Sequence, residues 1–205
     1  MKLVQIAGYL GSGKTTLILA LVRIIAGKGQ KVAILVNDIG EVPVDGKIME
    51  EFGLTVKDIG GGCICCQVAG NMRSTLKTLA REIDPDMVII EPTGMAVPGA
   101  VKEVAGYVGS TVDISFGPTI VLFDTTRAEK LLTYETLERL VTTQLKDADI
   151  IALSKVDAIE NAEVDSARKA VSKFNSGAEI IRLSTKSGEG LDDLAEAALN
   201  VTISA

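Results

Sequence analysis

Residues 8–16 of the chain are Gly-Tyr-Leu-Gly-Ser-Gly-Lys-Thr-Thr. They fit the phosphate-binding pattern G-x-x-x-x-G-K-[ST], with Gly8, Gly13, Lys14 and Thr15 at the specified positions. In such a loop, glycines let the backbone fold closely around phosphate oxygens. The lysine side chain reaches the outer phosphates, and the Thr15 hydroxyl faces Mg²⁺. The stretch therefore predicts a nucleoside triphosphate site that also binds Mg²⁺.

The residues on either side predict that this loop connects a strand to a helix. Lys2–Ala7 is an apolar run typical of a buried strand, and Thr16–Ala26 has a helical pattern that Gly27 and Gly29 end. The phosphate-binding pattern is most specific in this setting. The start of the helix adds the positive end of its dipole to the site.

Short aliphatic runs and helical patterns alternate along the rest of the chain. The predicted strands are Lys31–Asn37, Leu54–Ile59, Met87–Glu91, Thr119–Asp124, Ile150–Leu153 and Glu179–Leu183. The predicted helices are about Asn71–Ile83, Pro98–Val108, Tyr134–Lys146, Val164–Phe174 and Leu191–Leu199. The alternation predicts an α/β fold with a doubly wound, mainly parallel sheet of the P-loop NTPase type, in one domain over residues 1–205. Ligands of such sheets bind at the carboxyl ends of the strands, where we expect the motifs to converge.

Composition argues against several classes of partner. The 205 residues carry a net charge of −6 with a pI near 4.8, whereas nucleic-acid binding requires a basic face. No apolar stretch approaches the ~20 residues needed to cross a bilayer. The N-terminus leads directly into the phosphate loop, which is not the pattern of a signal peptide. We therefore expect a cytoplasmic globular protein with no nucleic-acid or membrane partner.

An acidic residue closes the predicted strand Met87–Glu91, and Glu91-Pro-Thr-Gly94 follows it. A carboxylate at the end of a strand beside a phosphate loop holds Mg²⁺ directly or through water. Gly94 is spaced to offer its N–H to the terminal phosphate. We therefore expect Glu91 and Gly94 at the triphosphate end of the site.

Two later motifs favour guanine over adenine, and therefore GTP and GDP as the nucleotides. Ser154-Lys155-Val156-Asp157 resembles the guanine-selecting N-K-x-D pattern, with serine in the first place. A carboxylate at Asp157 accepts hydrogen bonds from both the ring N–H and the exocyclic amine of guanine, and adenine offers no such donor pair. The aliphatic stem of Lys155 packs across the base. Ser184-Thr185-Lys186 resembles an S-A-K loop whose backbone contacts the guanine oxygen.

All three cysteines lie in one glycine-rich stretch, with Cys63, Cys65 and Cys66 directly after Gly60–Gly62. In a cytosolic protein, clustered thiols indicate metal binding or redox chemistry more often than a structural disulfide. Thiolates suit Zn²⁺, Co²⁺, Ni²⁺ or Cu⁺, but three of them leave a tetrahedral site one ligand short. The sequence has no histidine, so the fourth ligand is a carboxylate, a water, a substrate group or a residue of another subunit. The alternative is a redox-sensing or purely structural cluster.

Together these motifs resemble those of the CobW-type metallochaperone GTPases, which are relatives of HypB, UreG and MeaB. The resemblance extends from Met1 to about Leu199 and also includes the segment Asn-Asp-Ile-Gly-Glu-Val at residues 37–42. It implies a GTP-dependent protein that binds a divalent transition metal (Zn²⁺, Co²⁺ or Ni²⁺). The metal would be delivered to a client metalloenzyme, a cofactor-assembly protein or a cobalamin-related pathway.

The resemblance also implies roles for individual residues. Contacts to the nucleotide would come from Gly8, Gly11, Ser12, Gly13, Lys14, Thr15, Thr16, Gly94, Lys155, Asp157, Ser184, Thr185 and Lys186. Catalysis would rest on Lys14, Thr15 and Glu91, and Mg²⁺ would be held by Thr15 and Glu91. Acidic residues near Mg²⁺ or the delivered metal would be Asp38, Glu41 and Asp45. The thiolate ligands would be chiefly Cys65 and Cys66, with Cys63 as a third.

Nucleotide state and metal binding are expected to be coupled. GTP and Mg²⁺ would order the segment from Asp38 to Asp45 and draw the thiolates together, and hydrolysis would release the ion. A metal shared by a homodimer, with six thiolates, is a second arrangement. No general base or catalytic arginine is recognisable, so we expect slow intrinsic hydrolysis.

Other interpretations are left open by the residues alone. Many CobW-type proteins carry a second, C-terminal domain and a histidine-rich tract, and the sequence predicts neither here. One alternative function is that of a metal-independent, redox-sensing GTPase that acts as chaperone of a cofactor enzyme. The other is a P-loop small-molecule kinase that uses ATP, which the two guanine motifs disfavour.

Overall fold

Seven parallel strands form one sheet in the computed structural model, which describes residues 1–36, 55–58, 69–106 and 112–203. The strands are β1 (Lys2–Gly8), β2 (Val32–Val36), β3 (Thr55–Asp58), β4 (Met87–Glu91), β5 (Ser115–Asp124), β6 (Ile150–Ser154) and β7 (Glu179–Leu183). Their order across the sheet is β3-β2-β4-β1-β5-β6-β7. Because β1 lies in the middle, the loop that follows it has the ends of β4 and β5 on either side.

Helices connect the strands and cover both faces of the sheet. Those described are α1 (Lys14–Gly27), α2 (Ala69–Thr78), α3 (Pro98–Gly106), α4 (Ala128–Thr133), α5 (Glu135–Lys146), α6 (Asn161–Ser172) and α7 (Leu191–Asn200). A π-helical turn, Leu79–Ile83, continues α2, and short 3₁₀ turns occupy Thr125–Arg127 and Val156–Ala158. None of the helices in the described part of the chain is long and apolar enough to span a membrane.

The core consists of apolar layers on the two faces of the sheet. Successive residues of a strand point to opposite faces, so Leu122 packs toward α1 and α7 while Phe123 packs toward α5 and α6. A further cluster packs α2 and α3 on the half of the sheet that contains β2 and β4. Strands covered on both faces must be apolar throughout, which explains the continuous aliphatic runs in the sequence. The predicted doubly wound parallel sheet is confirmed.

Element boundaries depart from the prediction where a local feature overrides the apolar pattern. β5 begins at Ser115, four residues before the predicted Thr119, because a bulge against Leu3–Gln5 of β1 accommodates Pro118, which has no N–H. Gly117 is required there, since a Cβ atom would lie 2.7 Å from Cγ2 of Val4. Helix α6 begins at Asn161 rather than Val164, because Glu160 and Glu163 form a capping box. The short helix α4 was not predicted at all.

Candidate functional site

The phosphate loop connects β1 to α1 and depends on glycine at three points. Gly8, Gly11 and Gly13 have φ values of 138°, 73° and 99°, which residues with a Cβ atom rarely adopt. At Gly8 a Cβ atom would also lie 2.5 Å from the carbonyl oxygen of Leu122 in β5. Helix α1 begins immediately after Gly13, and the N–H groups in the first turn of a helix point toward the loop before it, which is a geometry suited to an anion.

One polar atom of the loop is suited to a ligand. The Ser12 hydroxyl oxygen is buried and has no hydrogen-bond partner among the described residues. Buried polar atoms in native proteins are nearly always paired with protein, water or ligand. Ser12 also lines the neighbouring cleft, so a nucleotide bound there would be in reach of this hydroxyl.

Oxygen donors suited to Mg²⁺ meet at the start of α1 and the end of β4. The Thr15 hydroxyl donates a hydrogen bond of 2.9 Å to Oε1 of Glu91, whose side chain is 2% exposed. A hydroxyl and a carboxylate are the hard donors that Mg²⁺ prefers, so the residues present fit this ion. Lys14, the lysine of the phosphate-binding pattern, is buried beside them.

The loop after β4 packs tightly on the phosphate loop through Gly94. A Cβ atom at Gly94 would lie 2.8 Å from the backbone nitrogen of Leu10 and 2.7 Å from its Cδ2. From the other side, the buried amide of Gln144 in α5 donates hydrogen bonds to the carbonyl oxygens of Gly94 and Ala96, at 3.1 and 2.9 Å. Gln144 was not predicted as a site residue, because its role depends on how α5 packs against this loop.

The end of β6 is bonded to the phosphate loop by two side chains of the Ser-Lys-Val-Asp motif. The Ser154 hydroxyl donates to the carbonyl oxygens of Ser12 and Phe123, at 3.0 and 3.3 Å. The Lys155 ammonium donates to the carbonyl oxygen of Gly11 at 2.8 Å. Lys155 has a φ of 62°, an uncommon conformation that turns its side chain back over the loop. Ser154, which replaces the asparagine of the N-K-x-D pattern, therefore joins β6 to the phosphate loop.

A cleft of about 270 Å³ lies beside these contacts. Its lining comes from four separate parts of the chain: the phosphate loop with the start of α1, β5, the end of β6 and the end of β7. The lining residues are Ser12, Gly13, Thr16, Leu122, Ser154, Lys155, Asp157, Ala158, Leu183, Thr185 and Lys186. Ser184 does not line the cleft, because its fully buried hydroxyl accepts a hydrogen bond from the N–H of Ser187 and shapes the turn.

A buried carboxylate that sequence analysis missed completes this edge of the sheet. Asp124 ends β5, and its side chain contacts Thr126, Arg127 and Lys155. Burial acts to raise the pKa of Asp124, but hydrogen bonds from Lys155 and Thr126 and the charges of Arg127 and Lys155 outweigh it and lower the pKa. Its position in the sequence could have indicated a site residue, because Asp124 ends an aliphatic strand as Glu91 does.

The remaining predicted site residues lie outside the described part of the chain. They are Asp38, Glu41, Asp45, Cys63, Cys65 and Cys66. In sequence they follow β2 and β3, two neighbouring strands of the sheet. Within the described residues there is no group of three or more cysteine, aspartate or glutamate side chains that could hold a metal ion.

Comparison with known proteins identifies the family. A sequence profile described as the CobW/HypB/UreG nucleotide-binding domain matches residues 2–182. This chain belongs to the CobW/HypB/UreG family. The resemblance inferred from the motifs is thus confirmed. The matched residues include the phosphate loop and the part of the cleft lining that precedes Leu183.

Curated members of the family include proteins named zinc chaperones. YeiR of Escherichia coli (strain K12) is 47% identical over 95 residues, which are 45% of this chain and 28% of YeiR. CobW of a Sinorhizobium species is 28% identical over 197 residues, 83% of this chain and 55% of CobW. YjiA of Escherichia coli (strain K12) is 30% identical over 164 residues, 77% of this chain and 50% of YjiA. The chain spans about half the length, or less, of these curated relatives.

Solved structures share the fold. HypB from Archaeoglobus fulgidus has a TM-score of 0.69 at 24% identity, covering 96% of this chain and 87% of HypB. HypB from Helicobacter pylori in complex with nickel has a TM-score of 0.67 at 21% identity, and the match covers 99% of this chain and 90% of HypB. Zn(II)-bound YjiA GTPase from E. coli has a TM-score of 0.65 at 24% identity, and the match covers 88% of this chain and 56% of YjiA. At these identities the likeness shows the fold alone.

Proposed function

We propose that this chain is the GTP-binding and GTP-hydrolysing part of a metallochaperone that delivers a divalent transition metal ion to a client protein. One observation carries the proposal: residues of the phosphate loop, the Ser-Lys-Val-Asp motif and the Ser-Thr-Lys motif line one cleft in a member of the CobW/HypB/UreG family. The relatives named zinc chaperones, and the nickel-bound and zinc-bound neighbours, support a metal as the cargo.

Guanine is the base that the cleft is proposed to select. Asp157 and Lys155 line it on one side, and Thr185 and Lys186 line it on another. The Asp157 carboxylate would accept both edge donors of guanine, whereas adenine would leave the carboxylate without its hydrogen bonds. Because the Lys155 ammonium bonds to the carbonyl of Gly11, the side-chain stem spans the distance from the end of β6 to the phosphate loop. This position supports the role of the stem as a platform for the base.

Hydrolysis is proposed to occur where α1 and β4 meet. Water attacks the γ-phosphorus, the bond from that phosphorus to the β–γ bridging oxygen breaks, and GDP and phosphate leave. Mg²⁺, held by Thr15 and Glu91, would neutralise charge on the β- and γ-phosphates. Lys14 would neutralise the same oxygens, and the Gly94 N–H would contact the γ-phosphate. With no general base recognised, unassisted turnover should be slow.

The cargo site is proposed at Cys65 and Cys66, with Cys63 as a third ligand. Three thiolates leave one position open on a tetrahedral ion, which favours transfer over permanent storage. The acidic residues Asp38 and Glu41 would sense Mg²⁺ and the terminal phosphate, and so couple the cysteine segment to hydrolysis. The proposed client is a metalloenzyme or cofactor-assembly protein, and metal bridging in a homodimer is a second arrangement.

Nucleotide choice is tested by titrating the purified chain with fluorescent GTP and ATP analogues in the presence of Mg²⁺. The expected result is binding of GTP at least about tenfold tighter than ATP. Intrinsic GTP hydrolysis should proceed at about one turnover per minute or more slowly. Equal affinities, or a preference for ATP, would contradict the guanine assignment and favour a kinase.

Cargo binding is tested by titrating the fully reduced protein with Co²⁺ and recording absorption from thiolate to metal. The expected band should disappear in the double variant Cys65→Ser with Cys66→Ser, and weaken in Cys63→Ser. A spectrum that the double variant leaves unchanged would refute the metal site. Absence of any band, together with a disulfide formed under mild oxidation, would support a redox sensor instead.

A further inference from the structure

Arg127 and Lys155 make the same pair of contacts, one to Asp124 and one to the phosphate loop. Each donates a hydrogen bond of 2.7 Å to the same carboxylate oxygen, Oδ2 of Asp124. Each also donates to a backbone carbonyl of the loop at 2.8 Å, Arg127 to Leu10 and Lys155 to Gly11. Two consecutive carbonyls of the loop are thus held by two cations that share one anchor. We call Asp124, Arg127 and Lys155 the loop brace.

The anchor of the loop brace is buried and hydrogen-bonded at both carboxylate oxygens. The Asp124 side chain is fully buried at the end of β5, and its second oxygen accepts hydrogen bonds from the N–H and the hydroxyl of Thr126. Both carboxylate oxygens therefore accept hydrogen bonds. Charge-assisted hydrogen bonds of this length are about twice as strong as neutral ones.

The charge of the loop brace suits a polyanion. One carboxylate and two cations sum to +1, directly behind a loop that fits phosphate groups. Arg127 is 34% exposed at its side chain and lies 6.0 Å from the centre of the Tyr9 ring, which further limits where its guanidinium can move. The carbonyl contacts also turn the dipoles of residues 10 and 11 outward, toward the brace.

Arg127 acts on the part of the loop next to Gly94. Leu10, whose carbonyl Arg127 holds, is in close contact with Gly94, the residue proposed to face the terminal phosphate. Lys155 holds Gly11 on the side of the cleft that contains Asp157. A substitution of Arg127 should therefore affect the contacts of the third phosphate more than those of the base.

We propose that Asp124 and Arg127 are positioning residues for the nucleotide: they hold the phosphate loop in its binding conformation, and Arg127 sets the preference for a triphosphate over a diphosphate. The proposal deepens the proposed function and rests on it for the identity of the nucleotide. Preorganisation of this kind raises affinity by reducing the ordering cost of binding.

The test measures dissociation constants and release rates of N-methylanthraniloyl GTP and GDP. Arg127→Gln should weaken the binding of GTP about five- to tenfold and the binding of GDP about two- to threefold, mainly because each nucleotide is released faster. The nucleotide affinities of Arg127→Lys should lie between those of Arg127→Gln and the wild type, because lysine can keep one of the two contacts that Arg127 makes. Lys102→Gln removes a comparable ion pair with Asp149 at the amino end of β6 and serves as the control, with both affinities unchanged.

Coupling within the loop brace is tested by a double-mutant cycle. Asp124→Asn should lower affinity at least as much as Arg127→Gln, and the double variant should lose less than the product of the two separate losses. Asp124 is buried, so melting temperatures are measured in parallel. Arg127 is partly exposed, and its variant remains an independent test even if Asp124→Asn fails to fold.

The outcomes separate this proposal from the function on which it rests. Multiplicative losses, or an unchanged ratio of GTP to GDP affinity in Arg127→Gln, would overturn the role of the loop brace. The same series is run with the adenine analogues, because the brace contacts the phosphate loop rather than the base. If the wild type preferred ATP while Arg127→Gln still weakened the triphosphate selectively, the guanine assignment would fail and the brace would stand. No binding of any nucleotide would refute both.

Discussion

Gly94 gives the sharpest test of how the loop after β4 meets the phosphate loop. In Gly94→Ala the new Cβ atom would lie 2.7 Å from Cδ2, 2.8 Å from the backbone nitrogen and 2.9 Å from Cγ of Leu10. The Leu10 side chain can rotate away, but its backbone nitrogen cannot, since Arg127 holds the carbonyl of the same residue. The loop after β4 must therefore move, against the two hydrogen bonds from Gln144.

The expected cost follows from these contacts. Overpacking of a close contact typically costs about 1–3 kcal/mol, and a displaced Gly94 N–H would also lose the contact proposed for it with the terminal phosphate. We expect a fall in melting temperature of about 2–12 °C for a chain of this size. We also expect GTP affinity to fall about tenfold or more, with GDP affinity reduced much less. Thermal denaturation without nucleotide and equilibrium titration with both nucleotides measure these effects.

The matched control is Gly27→Ala at the end of α1. No atom lies within 4 Å of a Cβ atom placed there, and the residue does not require a positive φ. Alanine should therefore be tolerated, with stability unchanged or slightly raised. A wild-type ratio of GTP to GDP affinity in Gly94→Ala, or the same behaviour in both glycine variants, would show that the contact between Gly94 and Leu10 does not position the terminal phosphate.

Three further changes probe the base, the buried carboxylate and the Mg²⁺ position. Asp157→Asn should weaken GTP at least tenfold while leaving ATP binding nearly unchanged, in competition titrations; equal losses would argue against base recognition. Because folding lowers the pKa of Asp124 below its ordinary value of 3.8, its contribution to stability is present above pH 3.8 and is lost as the pH falls through the lowered pKa. The difference in unfolding free energy between wild type and Asp124→Asn should therefore shrink below about pH 4 in denaturant titrations, and a difference that stays constant to pH 2.5 would contradict this. Glu91→Gln should reduce single-turnover GTP hydrolysis at least 100-fold and raise the Mg²⁺ concentration needed, whereas an unchanged Mg²⁺ requirement would exclude Glu91 from the Mg²⁺ site.

The sheet was predictable because apolar patterning determines which segments are buried on both faces. β4 and β7 have their predicted bounds, and the doubly wound arrangement follows from the alternation of strands and helices. The early start of β5 was not predictable from the apolar pattern, because Gly117 and Pro118 normally interrupt a strand. They fit here through a bulge that depends on the partner strand β1.

The site was predictable where its residues belong to one contiguous motif. The phosphate loop and the Ser-Lys-Val-Asp motif each carry their own spacing, and parallel topology brings the strand ends together. Asp124 and Arg127 were not predicted as site residues, because their roles depend on contacts with Lys155 and Leu10, which are distant in sequence. Gln144 is a similar case, since nothing in an amphipathic helix distinguishes an amide that reaches a distant loop.

Coupling between nucleotide and metal is measured most directly by the Zn²⁺ affinity of the reduced protein in two states, with a non-hydrolysable GTP analogue and with GDP. Competition with a chromophoric chelator gives both constants under anaerobic conditions. Typical couplings between two sites are about 1–3 kcal/mol, so we expect Zn²⁺ to bind at least fivefold more tightly with the GTP analogue than with GDP. The same Zn²⁺ affinity in both nucleotide states would contradict the proposed coupling.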